Sequence, residues 1–335
     1  MTVYNDLRFL DEAIDSILKQ DFGDLELIVV DDGTGETERF RRIEGRDPRI
    51  RVIALPANIG TAAAANRGIE AARAEIIARL DADDVAEPNH IGRLVAALRA
   101  DPDLGLVGSW CTLIDEAGRS IGIQPMPESD VAIRWTILFY NPFYHSTVAY
   151  RRRCFEAAGR YRPEELVSQD HYLWFQMLPL CKARNIPEPL TRYRVNPRGL
   201  SLVNAMGTRS RTHAIREALW RELGLTYDLY DDALAQDVNR FLRGQEIADA
   251  GRRLVAYRVI AKVLRRFLSV RRFLAQALDL HDADRLKNAL LNRMLASPPR
   301  RGRERWELYT LCLAIDWRTV TKSLVRRAPP GITCE

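Results

Sequence analysis

The stretch EIIARLDADD, residues Glu75–Asp84, decides the fold, because a short apolar run ends in three carboxylates. A short apolar run that stops at polar residues predicts a buried β-strand. In open α/β sheets, ligands bind at the carboxyl ends of the strands. The position of Asp81, Asp83 and Asp84 therefore predicts a ligand site at one edge of a sheet.

Outward from this stretch, short apolar runs alternate with segments of helix length. Glu26–Val30, Ile50–Leu55 and Leu104–Ser109 are typical of further strands. Leu7–Lys19 has apolar residues at helical spacing, and Thr61–Arg73 is rich in alanine, the strongest helix former. The alternation predicts an α/β fold, with a mixed, mostly parallel sheet flanked by helices.

The three carboxylates after the strand indicate a bound cation. Like charges crowded in one loop repel each other, and Mg²⁺ or Mn²⁺ would relieve that repulsion. Such an ion takes oxygen ligands from one or two aspartates and leaves positions for a substrate diphosphate. When the motif is considered alone, a solvated acidic turn is the better explanation, because short motifs often match by accident.

A second acidic pair, Asp31 and Asp32, follows the strand Glu26–Val30 in the same manner and precedes Gly33. A carboxylate at this position can accept hydrogen bonds from a nucleobase N–H or a ribose hydroxyl. Glycine lets the backbone turn tightly there. A plain Asp-Gly turn accounts for the same residues, so this segment alone leaves both interpretations open.

The charge of the chain changes between its two halves. Through Asn204 there are 25 Lys and Arg residues against 30 Asp and Glu, and from Ala205 onward there are 25 against 15. An acidic half suits a domain that binds metal, whereas a basic helical half suits an anionic partner. Past Asn196–Gly199 the pattern also changes to long helical stretches with many arginines. We therefore place a domain boundary near Ala205, with one domain over residues 1–204 and a basic, α-helical C-terminal region over residues 205–335.

The sequence favours a cytoplasmic location. Its longest apolar stretches, such as Leu25–Val30, fall far short of the roughly 20 residues of a spanning helix. The five cysteines form no CxxC pair, which is typical of a reduced compartment without disulfides. The paired arginines Arg252-Arg253 and Arg265-Arg266 suit peripheral contact with the inner face of a membrane, although a solvated basic face explains them equally. We expect no nucleic-acid partner, because no binding motif accompanies the charge.

Eight segments of the chain match the motifs of a known enzyme family in order and spacing: Thr2–Asn5, Leu10–Gln20, Glu26–Gly33, Asn58–Gly60, Ala65–Gly68, Ala78–Asp84, His145–Val148 and Gln169–Trp174. Together they resemble the family 2 glycosyltransferases, which have the GT-A fold. The resemblance implies that residues 1–204 form the catalytic domain of an inverting transferase that uses a nucleotide-sugar donor and a divalent metal, Mg²⁺ or Mn²⁺. It also implies a saccharide or lipid-linked saccharide acceptor and a place in cell-envelope or exopolysaccharide synthesis.

The same resemblance implies how the donor is bound. Tyr4 would lie against the nucleobase, and Asp31 and Asp32 would hydrogen-bond the nucleotide. Asp81 and Asp83 would form the DxD motif that contacts the ribose and the metal.

Four further residues complete the expected site. Asp170 matches the general base, since a carboxylate can remove the acceptor hydroxyl proton as the oxygen attacks the anomeric carbon. Arg194 could bind the diphosphate, because arginine recognises phosphate oxygens. His145 could contact the acceptor or the diphosphate, and a structural histidine is an equal alternative. Trp174 lies one helical turn after Asp170 and could border the acceptor, although tryptophan is more often buried.

Three departures from the family pattern support a rival interpretation. Met1 stands where the first strand normally ends, so that strand is expected to be truncated. Gln169 replaces the usual Glu, and Asn196 replaces a His that many relatives carry. The rival is a protein that has kept the GT-A fold for binding or scaffolding without catalysis.

Overall fold

The structure is a computed structural model that describes residues 1–164, 168–197, 214–221, 223–226, 232–269, 280–296 and 308–316. The chain forms two compact units. One comprises Met1–Ile133 and Asn141–Ile215, and the other comprises Arg134–Tyr140 and Arg216–Glu335. The domain boundary predicted between residues 204 and 205 lies outside the described residues, and it stays a prediction.

The first unit begins with a three-stranded parallel sheet in the order β1-β2-β3. The strand β1 consists of Thr2 and Val3, which pair with Val30 and Asp31 of β2. Because helices connect the strands, all three can run in the same direction. The elements are β1 (Thr2–Val3), α1 (Leu10–Leu18), β2 (Leu27–Asp31), α2 (Thr37–Glu44), β3 (Ile50–Ala54) and α3 (Thr61–Ala71).

Burial of apolar faces holds this half together. The strand β2 is buried along its whole length, as expected for a central strand covered on both sides. The helix α1 buries Leu10, Ile14 and Ile17, which lie on one face at helical spacing. The helix α3 packs closely, because a Cβ on Gly68 would lie 3.0 Å from a methyl carbon of Val30.

A second sheet of six strands follows, in the order β4-β8-β6-β9-β5, with β7 paired to β6. Its long strands β6 and β9 are parallel, and its other pairings are antiparallel. The strands are β4 (Ile76–Ala78), β5 (Val85–Ala86), β6 (Leu104–Ile114), β7 (Ser120–Gln124), β8 (Ala149–Arg151) and β9 (Lys182–Arg194). The helices are α4 (His90–Ala100), α5 (Asp130–Thr136), α6 (Arg152–Ala157) and α7 (Gln169–Met177), with a 3₁₀ turn at His145–Thr147.

The predicted α/β class is confirmed, and the strand pairing is mixed: the pairs β1-β2, β2-β3 and β6-β9 are parallel, and the four other pairs of the described strands are antiparallel. Alternating strands and helices dictate parallel pairing only while each strand is followed by a crossover helix. After Asp101 the chain instead forms a hairpin of β6 and β7, so antiparallel neighbours appear.

The second unit is helical in its described part. Its helices include Asp232–Leu242, Ala250–Ser269 and Leu280–Ala296. Its aromatic core joins Trp135 with Phe139 and Phe267, at ring-centroid distances of 4.9 and 5.5 Å. Among the helices that the structure describes, none is long and apolar enough to cross a membrane.

Candidate functional site

Three carboxylates share the loop between β4 and β5. The Asp84 carboxylate is buried and accepts a 2.7 Å hydrogen bond from the backbone N–H of Arg194. The Asp83 carboxylate accepts a 3.1 Å hydrogen bond from the amide of Asn196. The backbone N–H of Asp81 donates to the Ser146 hydroxyl at 2.9 Å. Contacts from β9 and from the 3₁₀ turn therefore hold the acidic loop at the end of β4.

The three carboxyl groups differ in acidity because their neighbours differ. Burial, together with the negative charge of Asp81, raises the pKa of Asp83. Burial and the charges of Asp83 and Asp81 raise the pKa of Asp84 well above its usual range. Burial would also raise the pKa of Asp81, but His145 and Arg79 outweigh it and lower that pKa. The net effect of the surroundings is therefore to favour the ionised form at Asp81 and to disfavour it at Asp83 and Asp84.

His145 lies against Asp81 on the 3₁₀ turn. Its Nδ1 is 3.1 Å from Oδ1 of Asp81, and its Nε2 is 2.8 Å from the hydroxyl oxygen of Tyr161. Both ring nitrogens have protein partners, so the geometry favours a positioning role. The contact with acceptor or diphosphate that the sequence also allowed stays a prediction.

The second acidic pair forms a turn that internal hydrogen bonds hold in place. The Asp32 carboxylate accepts from the amide of Asn58 at 2.9 Å and from the backbone N–H groups of Ile59 and Gly60 at 2.8 and 3.1 Å. Gly33 has φ +79°, and a Cβ there would lie 2.4 Å from the carbonyl carbon of Ala57. Only glycine fits this close approach. Asp32 thus fixes the loop that enters α3.

The other residues expected at the nucleotide lie beside this turn. The Asp31 carboxylate accepts a 2.9 Å hydrogen bond from the backbone N–H of Thr34. Tyr4 directly follows β1 and has a relative exposure of 48%. The Asp32 backbone N–H donates to the Val3 carbonyl at 2.9 Å, so the carboxyl ends of β1 and β2 meet there. An exposed ring at this edge is available for a flat ligand.

The Arg194 side chain is buried at the end of β9 and contacts several neighbouring segments of the chain. Its Nη2 donates to Oε2 of Glu12 at 2.6 Å, and its guanidinium stacks 4.1 Å from the ring centroid of Phe9. With its guanidinium buried and engaged, Arg194 positions the loops around the site, which replaces the expected contact with a diphosphate. Its other guanidinium hydrogen bonds go to the carbonyl oxygens of Asp83, Asp115 and Glu116.

Asp170 lies in the first turn of α7, where the helix dipole favours a carboxylate. Its Oδ2 accepts a 2.7 Å hydrogen bond from the amide of Asn141. The neighbouring Gln169 begins the helix. An ionised carboxylate has about four acceptor positions, so this hydrogen bond leaves capacity for a hydroxyl. The arrangement is compatible with the general-base role implied by the sequence resemblance.

Trp174 cannot border an acceptor, which corrects the sequence-based expectation. Its relative exposure is 0%, and its ring packs 5.9 Å from that of Phe143 and 5.8 Å from that of Tyr150. The spacing of four residues from Asp170 places both on one side of α7. That side faces the second sheet at Trp174, where a sugar cannot reach the ring.

Sequence reasoning did not assign roles to Arg79, Tyr161 and Asn141, although each contacts a candidate site residue. Arg79 was visible within the strand that precedes the acidic loop, but a lone arginine in a strand carries no signal of its contacts. Tyr161 and Asn141 lie far from their partners in sequence. Only the folded chain brings them to His145 and Asp170.

The carboxylate oxygens of the acidic loop suit a hard divalent cation whose remaining coordination positions are filled by substrate. Within the described ranges, no group of three or more His, Cys, Asp or Glu side chains is arranged to hold a metal ion. Asp81 and Asp83 offer the oxygen ligands that Mg²⁺ and Mn²⁺ prefer. Magnesium is commonly bound by one or two carboxylates plus substrate phosphates, which matches this small set.

A parallel three-stranded half, followed by a mixed sheet with an acidic loop after β4, defines a glycosyltransferase fold of the GT-A type. Structural comparison agrees: the TarS fragment 1–349 of S. aureus, crystallised with UDP-GlcNAc, aligns with a TM-score of 0.55 at 17% identity. The alignment covers 97% of this chain and 90% of TarS 1–349.

Sequence comparisons place the chain in a family. The family model described as Glycosyl transferase family 2 matches residues 1–156. A glycosyltransferase of Haemophilus influenzae is 30% identical over 58% of this chain and 63% of its own length. EpsE of Bacillus subtilis, named a glycosyltransferase, is 30% identical over 65% of this chain and 78% of its own length. The amylovoran biosynthesis glycosyltransferase AmsE of Erwinia amylovora is 25% identical over 70% of this chain and 84% of its own length. The chain belongs to glycosyltransferase family 2.

Proposed function

We propose that this transferase moves a sugar from a nucleotide-diphosphate donor to an acceptor hydroxyl, with inversion at the anomeric carbon. The observation that carries the proposal is the acidic loop after β4, where Asp81 is held ionised beside two carboxyl groups of raised pKa. This arrangement suits a site for a cation and a diphosphate. The kinship with AmsE supports a role in exopolysaccharide or cell-envelope synthesis.

In this proposal, Asp81 and Asp83 hold Mg²⁺ or Mn²⁺ together with the donor diphosphate. When bound, the metal supplies positive charge that stabilises the departing diphosphate. Tyr4 lies against the nucleobase, and its exposed ring supports this role. Asp31 and Asp32 shape the nucleotide pocket, and Asp32 retains acceptor capacity beyond its three internal hydrogen bonds.

Asp170 acts as the general base. As the acceptor oxygen forms its bond to the anomeric carbon, the bond from that carbon to the diphosphate breaks, and Asp170 takes the hydroxyl proton. The amide of Asn141 fixes the orientation of the carboxylate at 2.7 Å. A single displacement inverts the configuration.

The acceptor is a saccharide or a lipid-linked saccharide, and the helical unit supports the second choice. On the helix Ala250–Ser269, Arg258, Lys262 and Arg265 are exposed and follow one another at helical spacing. A basic face of this kind attracts anionic lipid headgroups. Cosedimentation with vesicles containing phosphatidylglycerol tests this contact: a Lys262→Glu, Arg265→Glu variant should bind less than the unaltered protein, and equal binding would contradict it.

The decisive experiment for catalysis compares Asp170→Asn with the unaltered protein, using a panel of nucleotide sugars with Mn²⁺. Loss of the base should lower transfer or donor hydrolysis by about 10²- to 10⁴-fold. The increase in melting temperature caused by the nucleotide should persist, because Asp170 does not hold the donor. Asp24→Asn, at an exposed turn, is the matched control and should change neither measurement.

Two outcomes would overturn the proposal. Full activity of Asp170→Asn would place the base elsewhere. A protein that binds nucleotide but shows no transfer or hydrolysis with any donor would instead support the non-catalytic binding or scaffold interpretation.

A further inference from the structure

A buried hydrogen-bond chain connects Tyr161 and Arg79 to the acidic loop through His145. The Tyr161 hydroxyl lies 2.8 Å from Nε2 of His145, and Nε of Arg79 donates to the same nitrogen at 3.3 Å. On the other side of the ring, Nδ1 lies 3.1 Å from Oδ1 of Asp81. We infer that Tyr161 and Arg79 are positioning residues that hold His145 in the one tautomer able to donate to Asp81. This inference rests on the proposed function of Asp81 at the donor site.

The tautomer follows from the chemistry of arginine. A guanidinium has five N–H donors and no acceptor, so Nε2 of His145 must accept from Arg79. A neutral imidazole carries its proton on only one nitrogen. The proton therefore lies on Nδ1, and Nδ1–H donates to Asp81. Nε2 has a single lone pair, which Nε of Arg79 at 3.3 Å and the Tyr161 hydroxyl at 2.8 Å share, and donation from either stabilises the same form.

Packing keeps this chain rigid. Tyr161 has a relative exposure of 1% and Arg79 of 4%, so water does not compete with their hydrogen bonds. The Tyr161 backbone is held on both sides by Asn66, whose amide donates to its carbonyl at 2.8 Å and accepts from its N–H at 3.2 Å. The His145 ring lies 5.7 Å from the Tyr161 ring and 6.4 Å from that of Trp174. The ring cannot turn without disrupting these contacts.

These contacts matter for function because they hold the Asp81 carboxylate in one orientation. Nδ1 of His145 lies 3.1 Å from Oδ1 and 3.3 Å from Oδ2 of Asp81, so the ring faces both carboxylate oxygens, and Arg79 adds its charge 3.7 Å from Oδ1. The carboxylate is therefore held in one orientation. Preorganised groups bind more tightly, because less freedom is lost when the ligand arrives. Tyr161 thus affects donor binding although its hydroxyl contacts His145 and not the acidic loop.

The test removes only the Tyr161 hydroxyl. Calorimetric titration with UDP and with GDP, each with Mn²⁺, identifies the nucleotide that binds the unaltered protein. Tyr161→Phe should weaken that binding about 5-fold, the size expected for one lost hydrogen bond. Tyr172→Phe is the matched control, because its hydroxyl contacts Gln176 and lies on α7 away from His145. Unchanged affinity of Tyr161→Phe would overturn the inference.

A double-mutant cycle separates positioning from a general structural effect. In a His145→Asn background the relay is absent, so Tyr161→Phe should add no further loss of affinity. A penalty of the same size in both backgrounds would contradict action through His145.

The tautomer can be observed without any nucleotide. In ¹⁵N-labelled protein, the ring nitrogens of His145, assigned by their loss in His145→Asn, should show the proton on Nδ1. Tyr161→Phe should shift these signals. A proton on Nε2 would overturn the inference even if Tyr161→Phe failed to fold. If the predicted tautomer is seen but neither UDP nor GDP binds, the donor-site function fails and the relay stands.

Discussion

Two acidic strand ends look alike in sequence and behave differently in the fold. After β2, Asp32 is surrounded by donors: a side-chain amide and two backbone N–H groups all point at its carboxylate. After β4, three carboxyl groups share one loop, and two of them have a raised pKa. The first loop uses its charge to hold a turn. The second crowds carboxyl groups whose mutual repulsion a cation would relieve, so carboxylates of the same type in the same context serve different purposes.

The largest expected difference between the loops is in metal-dependent activity. Asp83→Asn should remove the Mn²⁺-dependent increase in melting temperature with nucleotide and lower transfer by more than about 100-fold, since a metal supplies several kcal/mol to the transition state. Asp32→Asn should retain the Mn²⁺ response. Thermal melts with and without Mn²⁺ measure both. A Mn²⁺ response that survives in Asp83→Asn would place the metal elsewhere.

The free energy of unfolding should depend strongly on Asp32, the residue whose replacement leaves the Mn²⁺ response unchanged. Asp32→Ala leaves three donors of the loop before α3 without their acceptor, and we expect a loss of about 3 kcal/mol in the free energy of unfolding. Chemical denaturation measures this loss. The Mn²⁺ response of the folded fraction should remain. A loss below about 0.5 kcal/mol would mean that water replaces the carboxylate easily.

The pH dependence of stability has a source outside both loops. Burial lowers the pKa of His90 from 6.5 to about 4, and its Nδ1 lies 3.1 Å from the Leu190 carbonyl oxygen. Between these values the unfolded chain binds a proton that the folded chain does not. Stability is therefore fully present above about pH 6.5 and falls by up to about 3 kcal/mol as the pH drops toward 4.

Denaturation of His90→Gln over this pH range should show a weaker pH dependence than the unaltered protein. The same slope in both proteins would mean that His90 is not the group that titrates. The contribution of His90 must therefore be subtracted before the stabilities of variants in the two acidic loops are compared at low pH.

The smallest expected effect is on the free energy of unfolding without metal, and its sign should differ between the two loops. Without metal, Asp83→Asn removes a charge that its neighbours repel, and it should raise the free energy of unfolding by up to about 1 kcal/mol. Asp32→Asn should lower it, because an amide nitrogen would replace one acceptor oxygen. Urea denaturation in the presence of EDTA compares the two. The same sign for both would show that the loops do not differ in the way proposed.

The sequence predicted the two strands that end at the acidic loops and the helix α3. The structure gives β2 as Leu27–Asp31 and α3 as Thr61–Ala71, close to the predicted segments, because each carries its periodicity within a few residues. The acidic loop was predictable for the same reason, since the motif is contiguous.

The structure corrected two expectations that depended on side-chain surroundings. The side chains of Arg194 and Trp174 were expected at ligands and are buried against protein groups. Arg194 contacts Glu12, and Trp174 packs on Tyr150. Neither partner lies near in sequence, so no local pattern reports the contact.

By itself, the sequence determined the fold class, the family and the positions of the carboxylates, because periodicity and contiguous motifs encode local structure. Only the tertiary structure decided which groups each carboxylate contacts. Asp32 is satisfied by a loop 26 to 28 residues away, and Asp81 by a histidine 64 residues away. The physical reason is that acidity and orientation depend on distance, burial and donors in space, and these are set only when the two sheets are assembled.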